Sequence, residues 1–330
     1  MKLSEFDYNL PKELIARYPL LERDEAKLLV LRRQGGQIEH SVFKDITGFF
    51  SKGDLLVLNN TRVLNCRLLG RRSTGGKVEV LLLNQKQGMT FNALLKPGRL
   101  KLDEKIIFDG QDIYCRITSR NEVTFSAKDA EEVYKLGVMP LPPYIKRNSE
   151  QMDDVYYQTV YAEKKGSVAA PTAGLHFTES LLRRIKDSGV NIAYVTLHIS
   201  YATFKSIKSE DITEHKMDRE YFEIDDRNLE LIENARAQKA RIFAVGTTSC
   251  RVLESYAATK ARQGYTDLFI YPGYKFKLVN CLLTNFHLPR TTLLLLVSAF
   301  AGKELADKSY QQAIEKKYRF YSYGDAMLII

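Results

Sequence analysis

The sequence predicts an α/β fold in which a large mixed α/β domain carries an inserted small antiparallel β-barrel domain. The chain has 330 residues, more than a single domain usually holds. Short segments with a two-residue apolar period run from residue 63 to residue 125, and helices alternate with strands after Arg147. We therefore place a discontinuous α/β domain at residues 1–61 and 148–330, and the barrel at residues 62–147.

The barrel prediction rests on six short segments. The first 60 residues supply the strands AKLLVLRR and DLLVLNN to the larger domain. The six segments that follow are VLNCRLLGRR, GKVEVLLLNQ, MTFNALLK, EKIIF, DIYCRI and EVTFSA, separated by the polar turns STGG, KQG, KPGR, DGQD and SRN. Short strands joined by such turns are typical of a small antiparallel barrel.

The chain after Arg147 predicts a mainly parallel sheet covered by helices. In LLRRIKDSG, Leu181, Leu182 and Ile185 share one helix face, and Gly189 fits the helix end. The elements predicted next are a strand at residues 193–199, helix RNLELIENARAQKA, strand ARIFAV, helix CRVLESYAATK, strands TDLFIY and VNCLLTNF, and helix TTLLLLVSAFAG. Strands that alternate with helices indicate this layered arrangement.

Composition and charge indicate a protein that could bind nucleic acid and that does not span a membrane. The net charge of +9 suits a nucleic-acid partner, although a charge that serves only solubility is equally open. The longest apolar run, residues 291–302, is shorter than the roughly 18 to 20 residues that span a bilayer. The N-terminal residues lack an apolar signal region, and the four cysteines lack metal-type spacing. We expect a cytoplasmic protein with no membrane contact and no bound metal.

Common cofactor and metal motifs do not occur in the sequence. GxGxxG, GxxxxGK[ST], HExxH and CxxC are missing, which argues against dinucleotide enzymes, phosphate-loop NTPases and common zinc enzymes. In open α/β sheets, ligands bind beyond the carboxyl ends of the strands. The loops that leave the predicted strands are therefore the places to look for a site.

The loop VGTTSCR opens a helix directly after the strand ARIFAV. Gly246 permits close backbone approach, Thr247 and Thr248 offer hydroxyl groups, and the helix N-terminus presents free N–H groups. These features indicate an anion or ribose site, although an ordinary capped turn is an alternative. Arg251 suits a carboxylate, or it pairs with Glu254 three residues further along its own helix.

Three of the five histidines fall at predicted strand ends or helix starts. His176 lies in SVAAPTAGLHF, His198 near the end of a strand, and His287 just past the strand VNCLLTNF. Because histidine titrates near neutral pH, this set predicts proton transfer. The alternative is that each is a structural histidine.

Aromatic residues precede a carboxylate near the C-terminus, and cations bracket the first barrel hairpin. In KKYRFYSYGDAMLII the rings form either an aromatic wall beside Asp325 or a hydrophobic terminal strand. The cations are Arg62, Arg67, Arg71, Arg72 and Lys77. They form either an edge that contacts phosphates or a solvated, charged hairpin.

Several segments together resemble one family. They are SVAAPTAGLHF, AVGTTSCRVLES, DLFIYPGYKF, LLTNFHLPRTTLLLLVSAFAG, EKKYRFYSYGDAM, NNTRV, GGKVEVLLL, MPLPPYI and YQTVYA. This set is similar to the S-adenosylmethionine:tRNA ribosyltransferase-isomerases of queuosine biosynthesis, over nearly the whole chain. The family fold that the resemblance implies, an α/β domain with an inserted barrel, agrees with the fold predicted above.

The resemblance implies a transferase with S-adenosylmethionine as co-substrate and no further cofactor. The enzyme would move the ribosyl part of S-adenosylmethionine onto 7-aminomethyl-7-deazaguanine at the tRNA wobble position. Epoxyqueuosine-tRNA, adenine and methionine would be the products. The partner would be tRNA, and the chain would work as a monomer or weak homodimer.

The resemblance also suggests roles for the singled-out residues. We expect acid and base groups among His176, His198, His287 and Asp325, without assigning which is acid and which is base. Contacts with S-adenosylmethionine are expected from Pro171, Thr172, Gly174, Gly246, Thr247, Thr248, Arg251, Tyr161, Tyr321 and Tyr323. The tyrosines would face the sulfonium. The five barrel cations would contact tRNA phosphates.

One loop departs from the family pattern. Residues 200–204 read SYATF where the family typically has G-x-G-T-F, so Tyr201 and Ala202 leave less room for backbone approach. Asn65 stands where proline is usual, which we expect to be harmless. A non-catalytic RNA-binding barrel protein and a different nucleoside-transfer enzyme are the alternative functions.

Overall fold

The computed structural model describes residues 1–204 and 207–330 and confirms the predicted α/β fold with an inserted antiparallel barrel. The strands are β1 (Lys27–Arg32), β2 (Gln37–Val42), β3 (Leu55–Asn59), β4 (Thr61–Val63), β5 (Arg67–Arg72), β6 (Lys77–Gln85), β7 (Thr90–Lys96), β8 (Lys105–Ile107), β9 (Tyr114–Ser119), β10 (Glu122–Phe125), β11 (Gly137–Val138), β12 (Lys164–Ser167), β13 (Asn191–Leu197), β14 (Glu220–Glu223), β15 (Ile242–Val245), β16 (Gln263–Thr266), β17 (Cys281–Asn285) and β18 (Ala326–Ile329). The α-helices are α1 (Ala130–Lys135), α2 (Asp153–Tyr156), α3 (Glu179–Asp187), α4 (Asp226–Ala237), α5 (Gly246–Thr259), α6 (Thr292–Ala301) and α7 (Lys303–Glu315).

The barrel consists of the six strands that the sequence predicts. Its order is β5-β6-β7-β10-β9-β8, and β8 pairs with β5 to close it. Alternate residues point inward, so Val78, Val80, Phe91 and Ile117 are buried in its core. The short helix α1 and strand β11, which the sequence analysis did not predict, follow β10. The boundaries at residues 61/62 and 147/148 stay predictions.

The large sheet is mixed, so the expectation of a mainly parallel sheet is wrong. Its order is β16-β14-β13-β3-β15-β17-β18-β1-β2. The central strands β13, β3, β15 and β17 are parallel, and so are β18 and β1. The remaining pairs are antiparallel, because β18 enters between β17 and β1 and because β2, β14 and β16 are added at the edges.

The predicted strand TDLFIY is also wrong beyond its first residue. Strand β16 ends at Thr266, and residues 267–271 lie outside the strands. The carbonyl group of Leu268 accepts a hydrogen bond from Arg251 Nε at 3.0 Å. Pro272 follows and has no N–H group to donate to a neighbouring strand. The Arg251 side chain therefore bonds to the Leu268 carbonyl group that a neighbouring strand would otherwise bond.

Both faces of the large sheet are buried. Leu29 and Leu31 of β1 pack against the layer that contains α4, α5, α6 and α7, whereas Leu28 and Val30 pack against α3 and Phe43. Strands covered on both faces read as continuous apolar runs, which explains the LLVL sequences of β1 and β3. Helix α7, which was not predicted, completes one of these layers.

Candidate active site

A pocket opens at the carboxyl ends of β15 and β17. Four segments that are distant in sequence line it, namely residues 169–173, 246–248, 284–288 and 321–322. The position is the one expected for a ligand site in an α/β sheet. Of the predicted residues, the lining contains Pro171, Thr172, Gly246, Thr247, Thr248, His287 and Tyr321.

The N-terminus of α5 forms one wall of this pocket. Gly246 has a φ of 84°, which the turn from β15 into the helix requires and which disfavours other residues. The first N–H groups of an α-helix lack intrahelical acceptors. Thr248 Oγ1 is buried and has no hydrogen-bond partner among the described residues. This wall therefore offers hydrogen-bonding groups to an anion or a hydroxyl.

His287 is the predicted histidine that lines the pocket. Its Nε2 lies 2.8 Å from Thr284 Oγ1, and its backbone N–H donates to Tyr310 Oη at 3.0 Å. Burial lowers the pKa of His287 to about 3, so the imidazole is neutral at pH 7. Nδ1 has no hydrogen-bond partner in the described part of the chain. In the tautomer whose Nε2–H donates to Thr284 Oγ1, Nδ1 is the nitrogen left to accept a proton.

His176 lies behind the pocket and contacts it through Asn285. Its Nε2 is 3.3 Å from Asn285 Oδ1, and its ring packs on Phe43 with the centroids 4.9 Å apart. Burial lowers the pKa of His176 to about 4. Asn285 lines the pocket and donates to the carbonyl oxygen of Tyr321 at 2.8 Å. His176 is thus placed to act through another residue.

Two tyrosine rings form an aromatic wall in the pocket. The centroids of Tyr144 and Tyr321 are 4.6 Å apart, and Tyr144 Oη lies 2.5 Å from Ser322 Oγ. Tyr321 has a φ of 74°, a strained conformation for an aromatic residue. The hydrogen bonds from Asn285 to its carbonyl oxygen and from its N–H to Phe286 O, at 3.0 Å, hold it there.

The pocket lining also contains residues that were not predicted as site residues, among them Tyr144, Thr284, Asn285 and Ser322. Tyr144 lies in MPLPPYI and Asn285 in LLTNFH, two of the segments that carry the family resemblance. Their place in these family segments was the only indication in the sequence that Tyr144 and Asn285 could be site residues. Which side chain of each segment points into the pocket depends on how the segment is oriented in the folded protein. The sequence pattern does not predict that orientation.

Four of the predicted ligand-contacting residues lie outside the pocket lining, namely Gly174, Tyr161, Tyr323 and Arg251. A Cβ atom on Gly174 would lie 2.1 Å from Tyr161 Oη, so this glycine makes room for a buried tyrosine. Tyr161 packs on Tyr194 with the centroids 5.8 Å apart. Tyr323 donates to Asp153 Oδ1 at 2.7 Å. Gly174, Tyr161 and Tyr323 therefore pack against or bond to other protein groups, and none of them lines the pocket.

His198 and Asp325 also lie outside the pocket lining. His198 Nδ1 is 2.8 Å from Thr61 Oγ1, and its ring stacks on that of Tyr221. Burial lowers its pKa. Asp325 is 2% exposed and accepts hydrogen bonds from the backbone N–H groups of Arg319 and Lys27, at 2.7 and 3.1 Å. It tethers the chain before β18, and burial raises its pKa.

Arg251 is buried and forms an ion pair with Glu220 of β14. The alternative partner, Glu254, instead accepts hydrogen bonds from the backbone N–H groups of residues 277, 278 and 279. Glu220 also accepts from the Ser200 N–H at 2.8 Å. Arg251 therefore holds, through Glu220, the loop whose Thr203 lines the pocket.

The SYATF segment forms a short 3-10 turn at Tyr201–Phe204. Thr203 lines the pocket, and its Oγ1 lies 3.4 Å from Glu220 Oε1. The expectation for the Ala202 side chain lies outside the part that the structure describes. The segment therefore belongs to the rim of the site.

Most of the barrel cations are already paired with carboxylates. Arg67 lies 2.9 Å from Glu79, Arg71 2.9 Å from Asp109, and Arg72 2.5 Å from Glu104. Arg62 and Lys77 are exposed, and neither forms an ion pair within the described ranges. Arg62 and Lys77 therefore carry positive charge that no carboxylate of the described residues offsets, whereas the charges of the other three cations are offset by their ion pairs.

Two further observations concern ligands and membranes. Within residues 1–204 and 207–330, no group of three or more His, Cys, Asp or Glu side chains is arranged to hold a metal ion. In the same residues, no helix combines the length and the apolar character needed to cross a bilayer.

Comparison with known proteins identifies the family. The model of a family described as queuosine biosynthesis protein matches residues 3–329. The chain is 50% identical to an S-adenosylmethionine:tRNA ribosyltransferase-isomerase of Sulfurihydrogenibium sp. (strain YO3AOP1) and 49% identical to one of Carboxydothermus hydrogenoformans, with 100% of each chain covered. A crystal structure of the S-adenosylmethionine tRNA ribosyltransferase of Thermotoga maritima is similar, with a TM-score of 0.59 and 35% identity, over 99% of this chain and 100% of that chain. The chain therefore belongs to the queuosine biosynthesis protein family and is a transferase, as the resemblance predicted.

Proposed function

We propose that this enzyme transfers and isomerises the ribosyl moiety of S-adenosylmethionine onto 7-aminomethyl-7-deazaguanine at the wobble position of tRNA. The products are epoxyqueuosine-tRNA, adenine and methionine, and the reaction takes place in the cytoplasm without a metal or further cofactor. The observation that carries this proposal is the pocket at the carboxyl ends of β15 and β17. It combines an aromatic wall, a neutral histidine and a helix N-terminus, in a chain whose relatives carry the name of this reaction.

The walls of the pocket suit the two ends of the methionine part of the co-substrate. A sulfonium is a cation, and cations are attracted to aromatic faces, here those of Tyr144 and Tyr321. The N-terminus of α5 favours an anion, so it suits the methionine carboxylate. Thr248 Oγ1 has no protein partner among the described residues and suits a ribose hydroxyl or that carboxylate.

His287 is the group best placed to accept a proton. An alkylamine has a pKa of about 10, so its nitrogen must lose a proton to become a nucleophile. Burial disfavours an ammonium in the pocket for the same reason that it keeps His287 neutral. The free Nδ1 then accepts the proton that the nitrogen releases as its bond to the ribose carbon forms, and methionine departs with the electron pair of its carbon–sulfur bond as the epoxide closes.

Adenine departure needs a separate proton transfer. This transfer precedes attack by the amine, while the sulfonium is still present to acidify the hydrogens of the adjoining ribose carbon. Neutral His287 removes one of these hydrogens as a proton, and the electron pair left on carbon opens the ribose ring as the bond to adenine breaks. The leaving purine departs more easily when an acid protonates it. His287, once protonated, is positioned to return its proton. His176 acts as a positioning residue, because it contacts Asn285, which in turn holds Tyr321.

The test is adenine release from S-adenosylmethionine with tRNA that carries the aminomethyl-deazaguanine base. A parallel reaction uses tRNA with ordinary guanine at the same position. We expect adenine and methionine only with the modified tRNA. Release with both tRNAs would indicate a different nucleoside-transfer enzyme. Binding of tRNA without any release would indicate a non-catalytic RNA-binding protein.

A further inference from the structure

Three neighbouring strands present a row of aromatic rings on one face of the sheet edge. The row contains His198 at the end of β13, Tyr221 of β14 and Tyr265 of β16. The ring centroids of His198 and Tyr221 are 5.8 Å apart, and those of Tyr221 and Tyr265 are 5.7 Å apart. Tyr221 and Tyr265 are directly opposite in the strand register. We call these three rings and the guanidinium of Arg219 the aromatic ladder.

The strand period explains why the ladder faces outward. Side chains alternate along β14, so Glu220 and Phe222 are buried while Tyr221 points to the other face. Glu220 faces inward to Arg251 and to the loop at the pocket rim. The same short strand thus supports the pocket on one face and carries a ring of the ladder on the other.

The outer end of the ladder is open to solvent. Tyr265 is 62% exposed, and the Arg219 Cζ lies 5.3 Å from its ring centroid. Arg219 is exposed, and no carboxylate among the described residues lies within ion-pair distance of it. Lys164 Nζ lies 4.0 Å from Glu223 Oε1, which offsets the charge of that nearby acid. The exposed rings are therefore accompanied by an uncompensated positive charge.

The inner end of the ladder adjoins the pocket. Ile199, the residue after His198, is buried and lines the pocket. The contact between His198 Nδ1 and Thr61 Oγ1, at 2.8 Å, fixes the first ring against strand β4. A chain that lies on the ladder would therefore have one end close to the pocket rim.

We propose that the aromatic ladder binds unpaired nucleotides of the tRNA anticodon loop by base stacking. Tyrosine and histidine rings and arginine guanidinium planes are the groups on which splayed-out RNA bases stack. The cation without a carboxylate partner, Arg219, matches the phosphate charge. The ladder holds the nucleotides beside the modified base while that base enters the pocket. This inference rests on the proposed function for its choice of tRNA as the partner.

The experiment measures binding of an anticodon stem-loop RNA, and of a blunt RNA duplex of equal length, in the absence of S-adenosylmethionine. We expect Tyr265→Ala to weaken stem-loop binding by on the order of tenfold and to leave duplex binding unchanged. Tyr265→Phe keeps the ring and should retain the affinity. Arg219→Ala should weaken binding and lower the salt dependence by about one unit.

Tyr114 supplies a matched control. Its ring lies on the barrel with Lys105 Nζ 3.9 Å from the centroid, so it is also a tyrosine beside a cation. Tyr114→Ala should bind the stem-loop like the wild type. The proposal is wrong if Tyr265→Ala binds as tightly as the wild type or if Tyr114→Ala loses as much affinity. It is also wrong if the wild type does not prefer the stem-loop to the duplex.

Two further measurements separate the possible failures. A purely structural role for the cross-strand pair would lower the urea midpoint of Tyr265→Ala without changing stem-loop affinity, which would overturn the proposal. Adenine release by the wild type is measured separately with modified stem-loop RNA. Its absence would overturn the proposed function, while the binding comparison would still decide on the ladder.

Discussion

The barrel and the pocket are assembled in opposite ways from the same chain. In the barrel, β5, β6 and β7 pair with the strands next to them in sequence, and β9 pairs with both β8 and β10. Most of the pocket lining comes from four segments, residues 169–173, 246–248, 284–288 and 321–322. Tyr144 and Thr203 add to it, so the lining is spread over about half the chain. Local patterns therefore predict the barrel well, whereas membership of the pocket depends on long-range pairing.

The two regions also treat charge differently. Three of the five barrel cations, Arg67, Arg71 and Arg72, form ion pairs at the surface, where water screens them and each pair contributes little. Around the pocket, burial keeps His176 and His287 neutral and pairs Arg251 with Glu220 in the interior. Changes at the site should therefore have larger consequences than changes of the same chemistry on the barrel.

The largest expected effect is on the chemical step. His287→Asn removes the proposed proton acceptor and should lower the single-turnover rate of adenine release by about 10²- to 10⁴-fold. Binding of tRNA should be unchanged. The matched control is His40→Asn on strand β2, where the ring contacts Tyr318 and Gln312 away from the pocket. A wild-type rate in His287→Asn would remove this residue from the mechanism.

Acid should destabilise the large domain through its buried histidines. The folded protein holds His176 and His287 neutral, with pKa values lowered to about 4 and about 3, whereas an unfolded histidine binds a proton near pH 6.5. Below pH 6.5 the unfolded state therefore binds more protons, so the free energy of unfolding falls as the pH falls. The expected loss is about 2 to 3 kcal/mol per histidine between pH 6.5 and pH 4.5.

Urea unfolding at several pH values measures this loss. Residues 62–147, which include the six barrel strands, contain no histidine, so the effect comes from the rest of the chain. His287→Gln should have a flatter pH dependence of stability than the wild type. An unchanged pH dependence in this variant would contradict the expectation.

A smaller effect compares a buried and an exposed aspartate. Asp325→Ala leaves the backbone N–H groups of Arg319 and Lys27 without their acceptor and should lower the free energy of unfolding by about 1 to 3 kcal/mol. Asp109→Ala removes a surface partner of Arg71 and should cost much less. Equal losses in urea unfolding would show that burial does not distinguish the two regions.

The smallest expected effect separates free from paired barrel cations. Arg62→Gln combined with Lys77→Gln should weaken tRNA binding and lower the slope of log affinity against log salt by about two units if both contact phosphates. Arg71→Gln combined with Arg72→Gln should change the slope less, because Asp109 and Glu104 already neutralise these side chains. Equal slopes for both pairs would place the tRNA surface elsewhere.

Prediction from sequence succeeded where a residue's role depends on its near neighbours. The six barrel strands, the helix that VGTTSCR opens and the strand that precedes His287 follow from apolar period and turn residues. TDLFIY has a strand-like pattern, yet the Leu268 carbonyl group bonds to Arg251 instead of a strand. The edge strands β14 and β16 were missed or mistaken because their partners lie far away in the sequence, whereas β2 and α7 were missed although they pack on β1 and α6, the elements directly before them.

The sequence by itself determined the fold class, the family and the loops in which the site lies, because these depend on local periodicity and on long colinear motifs. Only the tertiary structure decided which side chains meet. It brought His287, Tyr321 and the start of α5 together around one pocket, and it left His198 and Asp325 in other surroundings. The physical reason is that the order of the strands in the sheet, including the position of β18, decides which way each side chain points and whether it is buried. Local sequence patterns do not predict that strand order.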